Sequence, residues 1–140
     1  MTDLTVDASV WVAAADRRDA FHEESRSFLA AVVVEGVQII VPAFATIEVA
    51  CALARKLQGA AIGRRLAHDV LSSSSALERP VDASLLATAL QVGTDVRLRG
   101  ADALYAATAQ LANAQLISWD NELVERAGAL TPTAWLDANP

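Results

Sequence analysis

Cysteine, lysine and histidine are scarce, with one, one and two respectively among 140 residues. Each scarcity excludes something. Cys51 alone cannot form an internal disulfide, which points to a reducing compartment. It lies in an apolar run with neither His22 nor His68 near it in sequence, so it reads as a small buried core residue rather than a nucleophile. His22 reads as a surface residue, with no second ligand at zinc-site spacing. No apolar run approaches the roughly twenty residues of a membrane span, and Asp3 stands where a signal peptide would be basic. Low-complexity tracts and internal repeats are also missing. The expectation is one soluble, cytoplasmic domain over residues 1–140, long enough to bury a core without a metal or disulfide to hold it.

Acid outweighs base. The formal net charge is −6 and the isoelectric point about 4.7, which argues against binding nucleic acid through bulk electrostatics. A polyanionic substrate would then need local basic patches or bound cations. Arg17, Arg18, Arg97 and Arg99 are candidates for RNA contact, with Arg55-Lys56 and Arg64-Arg65 as further basic pairs. Each also reads as an ordinary solvated face. Hydrophobic residues make up 54% of the chain; beyond the alanine content, that surplus points to a partner interface.

Periodicity alternates between strand and helix. Leu4 to Val6 reads as a strand ending at Asp7, followed by a short apolar segment from Val10 to Ala15 and an exposed turn at Asp16–Asp19. Phe21, Ser25, Phe28, Leu29 and Val32 form one stripe of a helix over Phe21–Glu35, ended by Gly36. Gln38 to Val41, closed by Pro42, reads as a buried strand. Ala43–Leu57 and Ala60–Leu71, broken at Gln58-Gly59, read as a helical hairpin projecting from the sheet. Leu77–Val81 is an edge strand because of Pro80, and Ala83–Val92 a helix stopped by Gly93. A helix runs from about Gly100 to Asn113. Leu116–Trp119 is a strand ended by Asp120, Asn121–Ala127 a short helix, and Leu130–Leu136 a last edge strand. The alternation predicts an α/β fold: a three-layer α/β/α sandwich with a short, mostly parallel sheet.

Four carboxylates sit awkwardly in that pattern. Asp7 interrupts the first apolar stretch, and Glu48 stands inside FATIEVACALA, which is apolar almost all round as a buried helix would be. Asp102 opens one helix and Asp120 terminates a strand. Singly, each has an ordinary explanation: Asp7 and Asp102 as helix caps, Glu48 as a first-turn acid favoured by the helix dipole. Jointly they could meet at one sheet edge. Two carboxylates about 4 Å apart repel by about 4 kcal/mol at an effective dielectric of about 20, so such a cluster must take up protons or hold cations. Oxygen-only ligands favour Mg²⁺ or Mn²⁺ over zinc.

VDASVWV, the isolated Glu48 of ATIEVACAL, RGADALYAATA and LISWDNEL resemble, in order and spacing, the successive motifs of the PIN domain, in particular the VapC toxins of toxin–antitoxin pairs. The likeness reaches the TPTAWL tail. It implies that Asp7, Glu48, Asp102 and Asp120 are catalytic and hold Mg²⁺ or Mn²⁺, with Ser9 in support. It implies an endoribonuclease acting on transfer or ribosomal RNA. The expected partners are a cognate antitoxin, lying in a groove near the hairpin, and a second copy of the chain in a homodimer. Asp82, Asp95 and Glu122 read as surface or capping acids, although Glu122 could reach a second ion, and Tyr105 as core packing. Phosphatases of the haloacid-dehalogenase type would need an acid where Ser9 stands and a catalytic lysine, and receiver domains fail on the same grounds. The rival reading is a catalytically inactive PIN-like module that binds protein or RNA.

Overall fold

In the computed structural model, which describes residues 1–140, the strands are β1 (Leu4–Val6), β2 (Ile40–Pro42), β3 (Leu77–Arg79) and β4 (Gln115–Ile117). All pairings are parallel: β1 with β4, and β2 with β3. Single bridges from Leu4 to Ile39 and from Ile117 to Leu130 join these pairs and extend them, giving the order β3, β2, β1, β4 and the Leu130 segment. β3 is the edge strand, as expected, although it ends at Arg79 so that Pro80 terminates it rather than lying within it. β1 is central and fully buried, so both its faces must be covered by helices.

The helices are α1 (Ala8–Ala15), α2 (His22–Glu35), α3 (Ala45–Leu57), α4 (Ala60–Ser73), α5 (Ala83–Asp95), α6 (Gly100–Ala112), α7 (Asn121–Ala127) and α8 (Pro132–Ala138). α6 lies across β1, β2 and β4 and carries α5 on its outer side, while α1 packs against α2 and against the α3–α4 hairpin. Trp11, Phe28, Leu53, Tyr105 and Ile117 belong to one hydrophobic core that joins strands and helices. The hairpin closes tightly because of Gly63: a Cβ there would lie 2.8 Å from the Ala50 carbonyl oxygen and from the Ala54 backbone nitrogen.

Several expectations are corrected. The tail is a helix, not a strand: after the single bridge at Leu130, Thr131 Oγ1 accepts from the Ala134 amide at 3.0 Å and Pro132 occupies the first turn of α8. Those are helix-start signals that outrank the apolar content of LTPTAWL. Gly93 does not stop α5, which runs to Asp95. The glycine instead lets α6 approach, since a Cβ would meet that of Ala103 at 2.7 Å. α3 is not buried all round: Ala45, Val49 and Leu53 face inward, whereas Ile47 is 66% exposed and Cys51 lies at the surface rather than in the core. Small residues hid that asymmetry. Asp16 is not in an exposed turn; it is 5% exposed and paired with Lys56 at 2.9 Å. Phe21 leaves the core stripe assigned to it and is 45% exposed at the start of α2.

Candidate active site

β1 and β4 are in register from Leu4 opposite Gln115 to Val6 opposite Ile117. One residue further, this pairing sets Asp7 beside Ser118. The Ser118 hydroxyl donates to Asp7 Oδ2 at 2.7 Å, and the Ser9 hydroxyl donates to the same oxygen at 2.8 Å. Ser9 Oγ in turn accepts from the Trp119 amide at 3.1 Å, and Ser118 Oγ from the Asp120 amide at 2.9 Å. Two strand ends are thereby tied together through two hydroxyls and one carboxylate. Ser118, fully buried, was not singled out from the sequence. Only the β1–β4 register reveals its role, because 111 positions separate it from Asp7 along the chain.

The capping explanation holds for two of the four acids. Asp7 is the N-cap of α1, with the Ser9 amide 3.4 Å from Oδ2, and Asp120 caps α7, accepting from the Glu122 amide at 2.8 Å. Asp102 is not a cap: it lies in the first turn of α6, which starts after Arg99 without a side-chain cap. Glu48 does occupy the first turn of α3.

Capping does not account for the pocket. Asp7, Glu48 and Asp102 line one cavity of about 380 Å³ with Ser9, Asp19, Phe21 and Trp119. Asp120 is not part of its lining, yet its charge reaches Asp102. Burial pushes the Asp7 carboxyl above its ordinary range, against the lowering effect of the Ser118 and Ser9 bonds. Burial also raises Glu48, an interaction with the Tyr105 hydroxyl lowers it, and the Asp7 charge raises it again. Asp102 is pushed up to about 6, first by burial and then by the charges of Asp7 and Asp120, with Arg99 opposing. Tyr105 is raised as well, by burial and by the Glu48 and Asp7 charges. Its hydroxyl sits close to Glu48 without reaching good hydrogen-bond geometry, and Asp102 Oδ2 is buried with no protein partner. Tyr105 otherwise packs in the core as expected, with its ring centroid 5.4 Å from that of Phe44.

This donor set fits a hard divalent cation. It offers only oxygens, one of them orphaned, from acids whose charges raise one another's proton affinity. No three His, Cys, Asp or Glu side chains are drawn together closely enough to enclose an ion, so the acids frame the pocket rather than meet at one point.

The other sequence candidates divide. Arg99 faces the acidic site closely enough to act on Asp102. Arg17 lines a different cleft and Arg18 is exposed away from the pocket lining, while the Arg97 carbonyl accepts from Arg126 at 2.9 Å. Glu122 lies 3.7 Å from Arg126.

Fold and pocket together define a parallel α/β domain with acidic groups where its central strands end. The chain belongs to the PIN-domain family, whose model matches residues 4–129. Among solved structures it is similar to Mycobacterium tuberculosis VapC20, described as a Sarcin-Ricin loop cleaving toxin. The two share 19% identity and a TM-score of 0.72 over 91% of this chain and 97% of that one. It is also similar to a chain of a Klebsiella pneumoniae toxin–antitoxin complex, at 19% identity and a TM-score of 0.67 over 93% and 98% of the two chains. A third likeness is to Neisseria gonorrhoeae FitAcB, with 19% identity and a TM-score of 0.65 over 94% and 98%. At such identities the likeness is one of fold. A comparison with curated proteins finds no significant match.

Proposed function

We propose that the protein is a Mg²⁺- or Mn²⁺-dependent endoribonuclease, the toxin of a toxin–antitoxin pair, acting on structured RNA of the transfer or ribosomal class. The observation that carries this reading is that Asp7, Glu48 and Asp102, from three separate segments, line one pocket, with Asp102 raised to about 6 and one of its oxygens unpartnered. Asp7, Glu48, Asp102 and Asp120 are the residues that would hold the ions. When bound, divalent ions supply activation of the attacking water and charge neutralisation at the scissile phosphodiester.

The chain's own part is positioning. Ser9 and Ser118 fix Asp7 through Oδ2 and leave its second oxygen without a hydroxyl donor. Tyr105 backs Glu48, and Arg99 offers a cation beside the acids for an approaching phosphate.

A cleft of about 640 Å³ beside the hairpin supports the antitoxin part of the reading. Val33, Val34, Leu66 and Val70 give it an apolar lining, with Arg17, Arg26 and Asp69 among its charged residues. The exposed Leu86 and Leu90 of α5 and Ile47 of α3 are apolar surfaces available to a second copy of the chain. One observation favours the rival reading of an inactive binding module, namely that no three acids already enclose an ion.

The test is cleavage of structured RNAs by partner-free protein in Mg²⁺ or in EDTA, with Asp7→Asn beside it. The nuclease reading expects cleavage that EDTA and the substitution both abolish. Cleavage surviving either would sink it, and absence of cleavage on any RNA would put the binding module ahead.

A further inference from the structure

We infer that Phe21, stacked on Trp119 at the rim of the acidic pocket, is a subsite for one unpaired nucleobase of the bound RNA; this rests on the nuclease reading above. The two rings lie 4.1 Å apart between centroids and 12° from parallel, and both side chains line the same cavity as Asp7, Glu48 and Asp102. Trp119 is the inner member: half-buried, its indole N–H donates to the fully buried Ser25 hydroxyl at 2.8 Å. Phe21 is the outer one, 45% exposed. One side of its ring is covered by Trp119, and the remainder is open to solvent at the pocket rim.

The rings are also held in place. The Phe21 amide donates to Asp19 Oδ1 at 2.9 Å, and Lys56 grips Asp19 Oδ2 at 3.0 Å. On the Trp119 side, the backbone amide donates to Ser9 Oγ, the same hydroxyl that holds Asp7. The stack is therefore rigidly indexed to the acidic site, which lowers the ordering cost of binding there.

Charge decides what occupies it. No Lys or Arg lines this pocket, and the chain's one lysine is engaged by Asp16 and Asp19. Beyond Arg99 and the divalent ions proposed above, no cation at this pocket can supply further attraction. An aromatic face can, because every base has a π-face and stacking does not depend on a phosphate partner. Single-stranded or looped RNA presents such a base; a paired helix does not.

The probe is a single-stranded 2′-O-methyl RNA hexamer, which resists cleavage, together with versions carrying an abasic residue at each position in turn. Binding is read from indole fluorescence in Mg²⁺, where Trp119 is the tryptophan with appreciable solvent access, since Trp11 and Trp135 are buried. Phe21→Ala and Phe21→Leu should each weaken binding about 5- to 150-fold, the range for one lost base stack. Phe21→Tyr should restore it, and one abasic position should reproduce the loss in the wild type. The salt dependence should not change, because no charge is removed.

Equal binding by wild type and Phe21→Leu, or indifference to every abasic position, would overturn the subsite while leaving RNA cleavage by the wild type untouched. A wild type that neither binds the hexamer nor cleaves RNA would overturn both readings. Phe21→Leu keeps most of the side-chain volume, so the comparison survives if Phe21→Ala unfolds.

Discussion

Asp102 is held where its charge is unwelcome, and that has a measurable consequence. A carboxyl raised to about 6 in the folded chain, against about 3.9 unfolded, is neutral in both states below pH 4 and contributes nothing there. Between the two values folding takes up a proton, so stability falls as pH rises, and above the folded value the full penalty applies. In EDTA at pH 7, Asp102→Asn should therefore stabilise the protein by about 1 kcal/mol, a figure kept small because the group is partly solvated. The gain should vanish at pH 4. Chemical denaturation at the two pH values checks this, and a variant less stable than wild type at pH 7 would contradict it. Ser118 has the opposite character. Its buried hydroxyl serves Asp7 and the Asp120 amide together, so Ser118→Ala should cost about 1–3 kcal/mol, as an orphaned buried group does.

At the scale of elements, close approach and a single cation decide how the helices sit. Gly63→Ala would force a methyl against the backbone of α3 at 2.8 Å. The α3–α4 hairpin must then open, at an expected cost of about 1–3 kcal/mol in urea unfolding. Lys56 reaches from α3 to Asp16 at 2.9 Å and Asp19 at 3.0 Å, clamping the segment between α1 and α2. The lysine bond holds the Asp16 carboxyl below its ordinary value. A depressed carboxyl stabilises above its unfolded value and loses that contribution as pH falls through the folded one. Lys56→Met should therefore destabilise the chain at pH 7, with a gap that narrows below pH 4. A gap independent of pH would show that the lysine acts through packing alone.

For the whole molecule, the balance of charge sets the terms of binding. A chain of net charge −6, with Asp102 Oδ2 unpartnered among the acids of one pocket, should gain stability from divalent cations. A ligand at 100 times its dissociation constant adds about 2.7 kcal/mol to the folded state. Mg²⁺ or Mn²⁺ should therefore raise the melting temperature of the wild type and raise it less for Asp7→Asn. An equal rise in both would mean that the ions act on the general surface. No helix is long and apolar enough to cross a membrane. Val34, Leu90 and Ile47 are exposed apolar side chains, the surfaces a protein partner would cover in the toxin–antitoxin reading.

How much of this could be read in advance follows from the range of each interaction. Alternating apolar periods, glycine and proline punctuation and four acids in apolar surroundings are local, so the parallel α/β class and the acidic candidates were legible along the chain. The helix over the tail is signalled locally too, by Thr131 and Pro132, although the apolar residues around them also suit a strand. The partnership of Ser118 with Asp7, the burial of Asp16 under Lys56 and the stacking of Phe21 on Trp119 join residues between 40 and 111 positions apart. No local pattern encodes them. They arise when the β1–β4 register and the seating of α3 on α1 bring those groups into contact, because hydrogen bonds, ion pairs and ring contacts act over a few ångströms of space and take no account of distance along the chain.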